Sequence, residues 1–171
     1  MNKIKQINIF MVLVVLISLT RLIPHPPNFT PIISISILSG MFFGRKFYAF
    51  GIPIISFLIA DYYLGFYNIS IWVYSALFMI IYSSSVLNFN LNLKGVILSS
   101  CFGSFLFFII TNFGVFILGY PHSIEGFIAC YTLAIPFFHN TLISTLLYSI
   151  TIYSLYNSSK SKAVLHWLAK N

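Results

Sequence analysis

Charge is what this sequence has least of. Of 171 residues only 6% are charged, and just two of these, Asp61 and Glu125, are acidic, where a soluble domain carries roughly a quarter charged residues. Water is therefore excluded as the main solvent. Two carboxylates, with no HExxH, no GxSxG and no glycine-rich phosphate loop, leave hydrolytic, metal and nucleotide chemistries without their parts. The sequence gives no catalytic residues, no cofactor and no metal, and the expectation is that the protein is not an enzyme. Cysteine is equally scarce. Cys101 and Cys130 lie in apolar runs without CxxC spacing, which suggests neither a disulfide framework nor a zinc site. A basic run interleaved with stacking aromatics is also missing, so the net charge of +7 and pI near 9.5 do not point to nucleic acid.

What is present is apolar: 59% of the residues are hydrophobic and the mean hydropathy is +0.96. A bilayer core about 30 Å thick takes about 20 apolar residues per helix. The chain divides into runs at about 7–23, 31–44, 47–66, 69–89, 95–118 and 127–156. The expected fold is all-α, a single transmembrane domain of about six helices. The first run ends at Pro24-His25-Pro26-Pro27-Asn28, where three prolines remove donors and disfavour a continuing helix. No small-x-small cleavage site follows Leu19, and Arg21 stands where one would lie, so this run reads as a retained span. The short second run carries Ser36, Gly40 and Gly44 four apart, which predicts a helix-packing face of small residues. Pro53 and Pro136 fall inside the third and sixth runs. The tail, 160–171, sets lysines around Val164, Leu165, Trp167 and Leu168 and reads as a cytoplasmic amphipathic helix.

With six spans, Lys3, Lys5, Arg45, Lys46, Lys94, Lys160, Lys162 and Lys170 fall on the side of the termini, eight of the nine basic residues. The positive-inside rule then places both ends in the cytoplasm. Arg21, Asp61 and Glu125 go to the opposite side. At 1.5 Å per residue, Arg21 and Asp61 each sit roughly 21 Å from the inner end of their spans. Ionisable residues inside a membrane normally face a partner or a watery cavity, so an Arg21–Asp61 ion pair is expected. Arg21, His25, Asn28, Asp61, Asn112 and Glu125 are candidates to line one outward cavity that binds substrate. His139 and Asn140, near the midplane, are further substrate-binding candidates. Tyr62, Tyr63, Tyr67, Trp72, Tyr74, Tyr120 and Tyr131 gather on the same side, most of them as an interfacial aromatic belt, with the alternative that two or three line a ligand pocket.

Three segments carry a resemblance. Arg21-Leu22-Ile23-Pro24-His25-Pro26-Pro27-Asn28-Phe29-Thr30-Pro31, Thr111-Asn112-Phe113-Gly114-Val115, and Cys130-Tyr131 through Ala134-Ile135-Pro136-Phe137-Phe138-His139-Asn140-Thr141 resemble the signature segments of a family of uncharacterised small bacterial integral membrane proteins. That family in turn is similar to the substrate-binding S components of energy-coupling-factor (ECF) vitamin transporters. The resemblance implies a six-helix bundle in the bacterial inner membrane that captures a vitamin or precursor from outside. Beside the lipid bilayer and a small-molecule substrate, it implies either a transmembrane T component and ATPase subunits as partners or action alone, as in a few S components. The AxxxA motif that S components often carry on the first helix is missing, the run from Phe10 to Ile17 being bulky. The alternative function is a structural or accessory membrane protein whose polar pairs only hold helices together.

Overall fold

The computed structural model describes residues 14–87 and 89–157. It is all-helical. The described part of α1 covers residues 14–22, followed by α2 (Ile32–Phe43), α3 (Phe47–Leu64), α4 (Ser70–Val86), α5 (Leu93–Gly119) and α6 (Ile124–Asn157). Three of these, α3, α5 and α6, are long and apolar enough to cross a membrane. The start of the first apolar run and the amphipathic tail expected at 160–171 lie outside the described residues.

Each helix ends where local chemistry stops it. Gly44 follows α2 at φ 60° and Gly65 follows α3 at φ 89°, backbone conformations that L side chains rarely adopt. Asn92 caps α5, its side chain accepting from the Gly95 N–H at 2.8 Å. Ser123 accepts from the Gly126 N–H at 3.1 Å, which opens α6 three residues before the expected start of that run. Helical structure passes through Pro53 and Pro136; the missing proline N–H leaves the carbonyls of Ala49 and Thr132 without their usual helical donors.

The short helix is the central one. Nine of the twelve residues of α2 are buried, and it packs against α3, α4, α5 and α6. A helix apolar all round suits such a place. Gly40 makes the approach to α4 possible, since a Cβ there would come within 2.5 Å of the Ile81 carbonyl oxygen and 2.9 Å of the Ser84 Cβ. Ser36, one helical turn before it, is fully buried, its hydroxyl without a partner among the described residues. Gly44 departs from the expected packing face. It lies past the last turn of α2, where a Cβ would meet nothing within 4 Å, so its role is to end the helix. Helix α1 is tied to α3 by Ser18, whose hydroxyl donates to the Ser56 carbonyl at 2.9 Å.

The helices do not start level. Trp72 near the beginning of α4 lies edge-on to Phe113 of α5 with ring centroids 5.4 Å apart. In contrast Ile32, which opens α2, belongs to the cluster packed against Leu106 and Phe107. Counting from Phe107 to Gly119 sets the start of α2 roughly 18 Å short of the end of α5. The connection from α1 to α2 therefore sits down inside the bundle, walled by the outer turns of α4, α5 and α6. At the opposite end Phe42 stacks on Tyr156, and the basic residues Arg45, Lys46 and Lys94 are at that end. The perimeter is apolar: Phe105 is 55%, Leu133 64% and Leu147 54% exposed, side chains that a bilayer would cover.

Candidate functional site

The ionic centre joins three helices. Arg21 of α1 donates through Nη1 to Asp61 Oδ1 of α3, and Tyr74 of α4 donates to Asp61 Oδ2 at 2.7 Å. The guanidinium carbon lies 3.7 Å from the centre of the Phe57 ring, a cation–π contact in a dry setting. Asp61 is 1% exposed and the Arg21 side chain 13%. An ionised carboxylate so buried needs its oxygens satisfied, and both are. The Arg21–Asp61 pairing was legible from two residues at equal height on neighbouring spans. Tyr74 had a signal too, since 61 and 74 are equally spaced about the α3–α4 connection, but among many tyrosines the expected role was an aromatic belt.

Beside this centre the proline-rich first loop is anchored by α6. Asn140 donates through Nδ2 to the Pro27 carbonyl at 3.2 Å, and the single hydrogen of the Ser144 hydroxyl is shared between the Thr141 carbonyl at 3.0 Å and the Asn28 carbonyl at 3.3 Å. Phe29 meets Tyr148 edge-on at 6.1 Å. Asn28 itself stands at φ 61°, a left-handed conformation that asparagine tolerates better than most residues. Inside the loop the Phe29 N–H donates to the Pro26 carbonyl at 3.0 Å, and His25 Nδ1 lies 3.0 Å from the same oxygen. A carbonyl can only accept, so Nδ1 carries the proton there.

Two chambers flank the loop. The smaller, about 200 Å³, is lined by Arg21, His25, Asn28, Phe57 and Asp61, with Tyr67 and Ser70 at the start of α4. The larger, about 340 Å³, lies between α5 and α6 and is lined by Asn112, Thr111, Thr141 and the rings of Phe107, Phe108, Phe137 and Phe138. Asn28, Ile69, Val73 and Phe107 line both, so the chambers adjoin across them. Sizes from about 300 Å³ upward are typical of small-molecule pockets.

Of the expected substrate-binding residues, Arg21, His25, Asn28 and Asp61 meet in the smaller chamber and Asn112 joins Asn28 in the larger. Asn140 lines neither; it holds the loop that does. Glu125 and His139 are exposed and line neither chamber. Glu125 is in the first turn of α6, eight residues or roughly 12 Å of helix from Leu133, where α6 first lines the larger chamber. His139 lies between Phe138 and Asn140, and one residue is a turn of about 100°, which swings it to the outer surface. The four phenylalanines, Thr111 and Thr141 were missed as lining residues. In a chain with 19 phenylalanines nothing local distinguishes a ring on a cavity from one facing lipid. Among the described residues no three of His, Cys, Asp and Glu are grouped to hold a metal ion, and both cysteines are free.

The chain belongs to DUF6580, a family of unknown function, whose sequence profile matches residues 1–169. No curated protein and no solved structure matches it.

Proposed function

We propose that this protein is the substrate-binding component of a membrane uptake system for a small micronutrient, built as a six-span bundle similar to ECF S components. The observation that carries the reading is the open space itself. Two adjoining chambers lie beside a buried ion pair and flank a loop stiffened by three prolines, which leads into α2 roughly 18 Å short of the end of α5. A loop ordered in advance loses less entropy when it closes on a ligand. In this reading α1 to α6 each cross or enter the bilayer, with the Arg45, Lys46 and Lys94 end in the cytoplasm and the chambers open outward. The short α2 would not span a 30 Å core alone, and the descending first loop supplies the missing height. A T component and ATPases on other chains would supply the energy for release, in the bacterial inner membrane.

A structural reading has one observation in its favour. Asp61 has both oxygens occupied and is shielded from solvent, as a pair that only locks helices would be. The open chambers favour binding over locking, because a scaffold gains stability by filling such space. The discriminating experiment is a thermal-shift screen of the purified protein against vitamins and their precursors. A compound that raises the midpoint of the wild type and fails to do so for Asn112→Leu supports the binding role. A screen in which no such compound shifts the wild type contradicts it.

A further inference from the structure

Resting on that reading, we infer the chemical class of the ligand: a flat, neutral aromatic or heteroaromatic molecule with an acceptor group at one edge and an N–H donor at the other. In the larger chamber Thr111 donates its hydroxyl hydrogen to the Phe107 carbonyl at 2.8 Å, Thr141 to the Phe137 carbonyl at 2.9 Å, and Asn112 donates through Nδ2 to the Phe108 carbonyl at 2.7 Å. A hydroxyl has one hydrogen and a carbonyl cannot donate. Both threonines are therefore left with acceptor lone pairs only, and Asn112 Oδ1 has no donor among the described residues. Asn28 and Tyr120 also line this chamber, but each can donate or accept and does not set its sense. The rest is phenyl ring and aliphatic surface. What completes three acceptors among aromatic faces is a donor on a ring.

The smaller chamber has the opposite sense. Arg21 commits Nη1 to Asp61 and to the Phe57 carbonyl, 3.5 Å away, while Nε and Nη2 have no partner among the described residues. Asp61 accepts one donor on each oxygen and is 1% exposed, so it turns little acceptor surface to the chamber, while Asn28, Thr30 and Tyr67 can each donate or accept and do not set its sense. Ser70 accepts from the Tyr67 N–H at 3.0 Å, so its own hydrogen is free to donate. His25 can accept through Nε2, but it sits on the exposed loop. Because Asp61 already balances the arginine, this end offers donors without net charge, which suits a carbonyl or ring nitrogen better than a carboxylate. The larger chamber holds no carboxylate, so a neutral amine enters it at less cost than an ammonium.

The test uses the full-length protein in nanodiscs, with empty nanodiscs as the partition control, and equilibrium dialysis of three probes. Methyl 4-aminobenzoate has both groups, methyl benzoate lacks the donor, and 4-aminobenzoate replaces the neutral head by a charge. The amino ester should bind about fivefold more tightly than methyl benzoate, as one neutral hydrogen bond gives, and more tightly than the acid. Thr111→Val, which keeps the shape and removes the lone pairs, should bring the two esters together, with Thr141→Val as the second variant. Equal binding of both esters to the wild type, or a preference unmoved by both substitutions, would overturn the donor assignment. Tighter binding of the acid would overturn the neutral head. If in those cases the esters still bind and Val73→Trp, which fills the joint between the chambers, abolishes binding, the binding-site reading stands without this ligand class. No binding of any probe above the empty nanodiscs would sink both.

Discussion

A carboxylate as buried as Asp61 needs donors in place of its water, and Arg21 and Tyr74 supply one to each oxygen. Removing a single partner leaves the other charge uncompensated, at a cost of about 3–5 kcal/mol, whereas removing both charges together costs less than the sum. Arg21→Ala and Asp61→Ala should each lower thermal stability in detergent sharply, and the double substitution should fall short of their added effects. Tyr74→Phe should cost about 1.5–3 kcal/mol, the range for a hydrogen bond to a charged group. Harmless single substitutions would show that the pair is not holding α1 and α4 to α3. Asn28 is a different kind of residue, because its backbone matters as much as its side chain. At φ 61° Asn28→Gly should leave the protein in the membrane at normal levels. Asn28→Val forces a β-branched side chain into the left-handed region, at about 1–2 kcal/mol, and should lower abundance or midpoint. Equal behaviour of the two variants would show that the loop conformation is not strained as described.

At the scale of elements, the position of the helices was legible because each apolar run is bounded by a residue that cannot continue it. Gly65 and Asn92 lie within a few residues of the expected boundaries for this reason. The level of Arg21 with Asp61 was legible from residue counts alone. The seating of the first loop on α6 was not, since the bonds from Asn140 and Ser144 to Pro27 and Asn28 link residues 113 and 116 apart. No periodicity carries such a contact. Gly44 shows a related failure: spacing of four suggests one helix face only while the helix lasts, and α2 stops at Phe43. Gly40 does face its neighbour. Gly40→Leu must push α2 from the backbone of α4 at Ile81, and overpacking of this kind costs about 1–3 kcal/mol. The expected readout is a lower unfolding midpoint with helix content by circular dichroism retained; an unchanged midpoint would contradict the close approach.

The whole molecule is short at its centre and tall at its rim, and this difference in height makes the well. If the positive-inside orientation holds, the α5–α6 turn faces outward and the α4–α5 connection faces the cytoplasm. A cysteine at Ser123 should then react with an impermeant thiol reagent on intact cells, and one at Asn90 should not; the reverse pattern would invert the topology. Whether the well is open to outside water can be asked without knowing the ligand. Val73 lines both chambers, while Leu77, one turn further along the same helix, is 0% exposed. The most direct measurement is the labelling rate of Val73→Cys and Leu77→Cys by a small impermeant methanethiosulfonate, in intact cells and with Cys101 and Cys130 replaced by alanine. An outward-open binding well predicts rapid labelling at 73 and none at 77. Labelling at neither position, or at 73 only after the cells are opened, would contradict it.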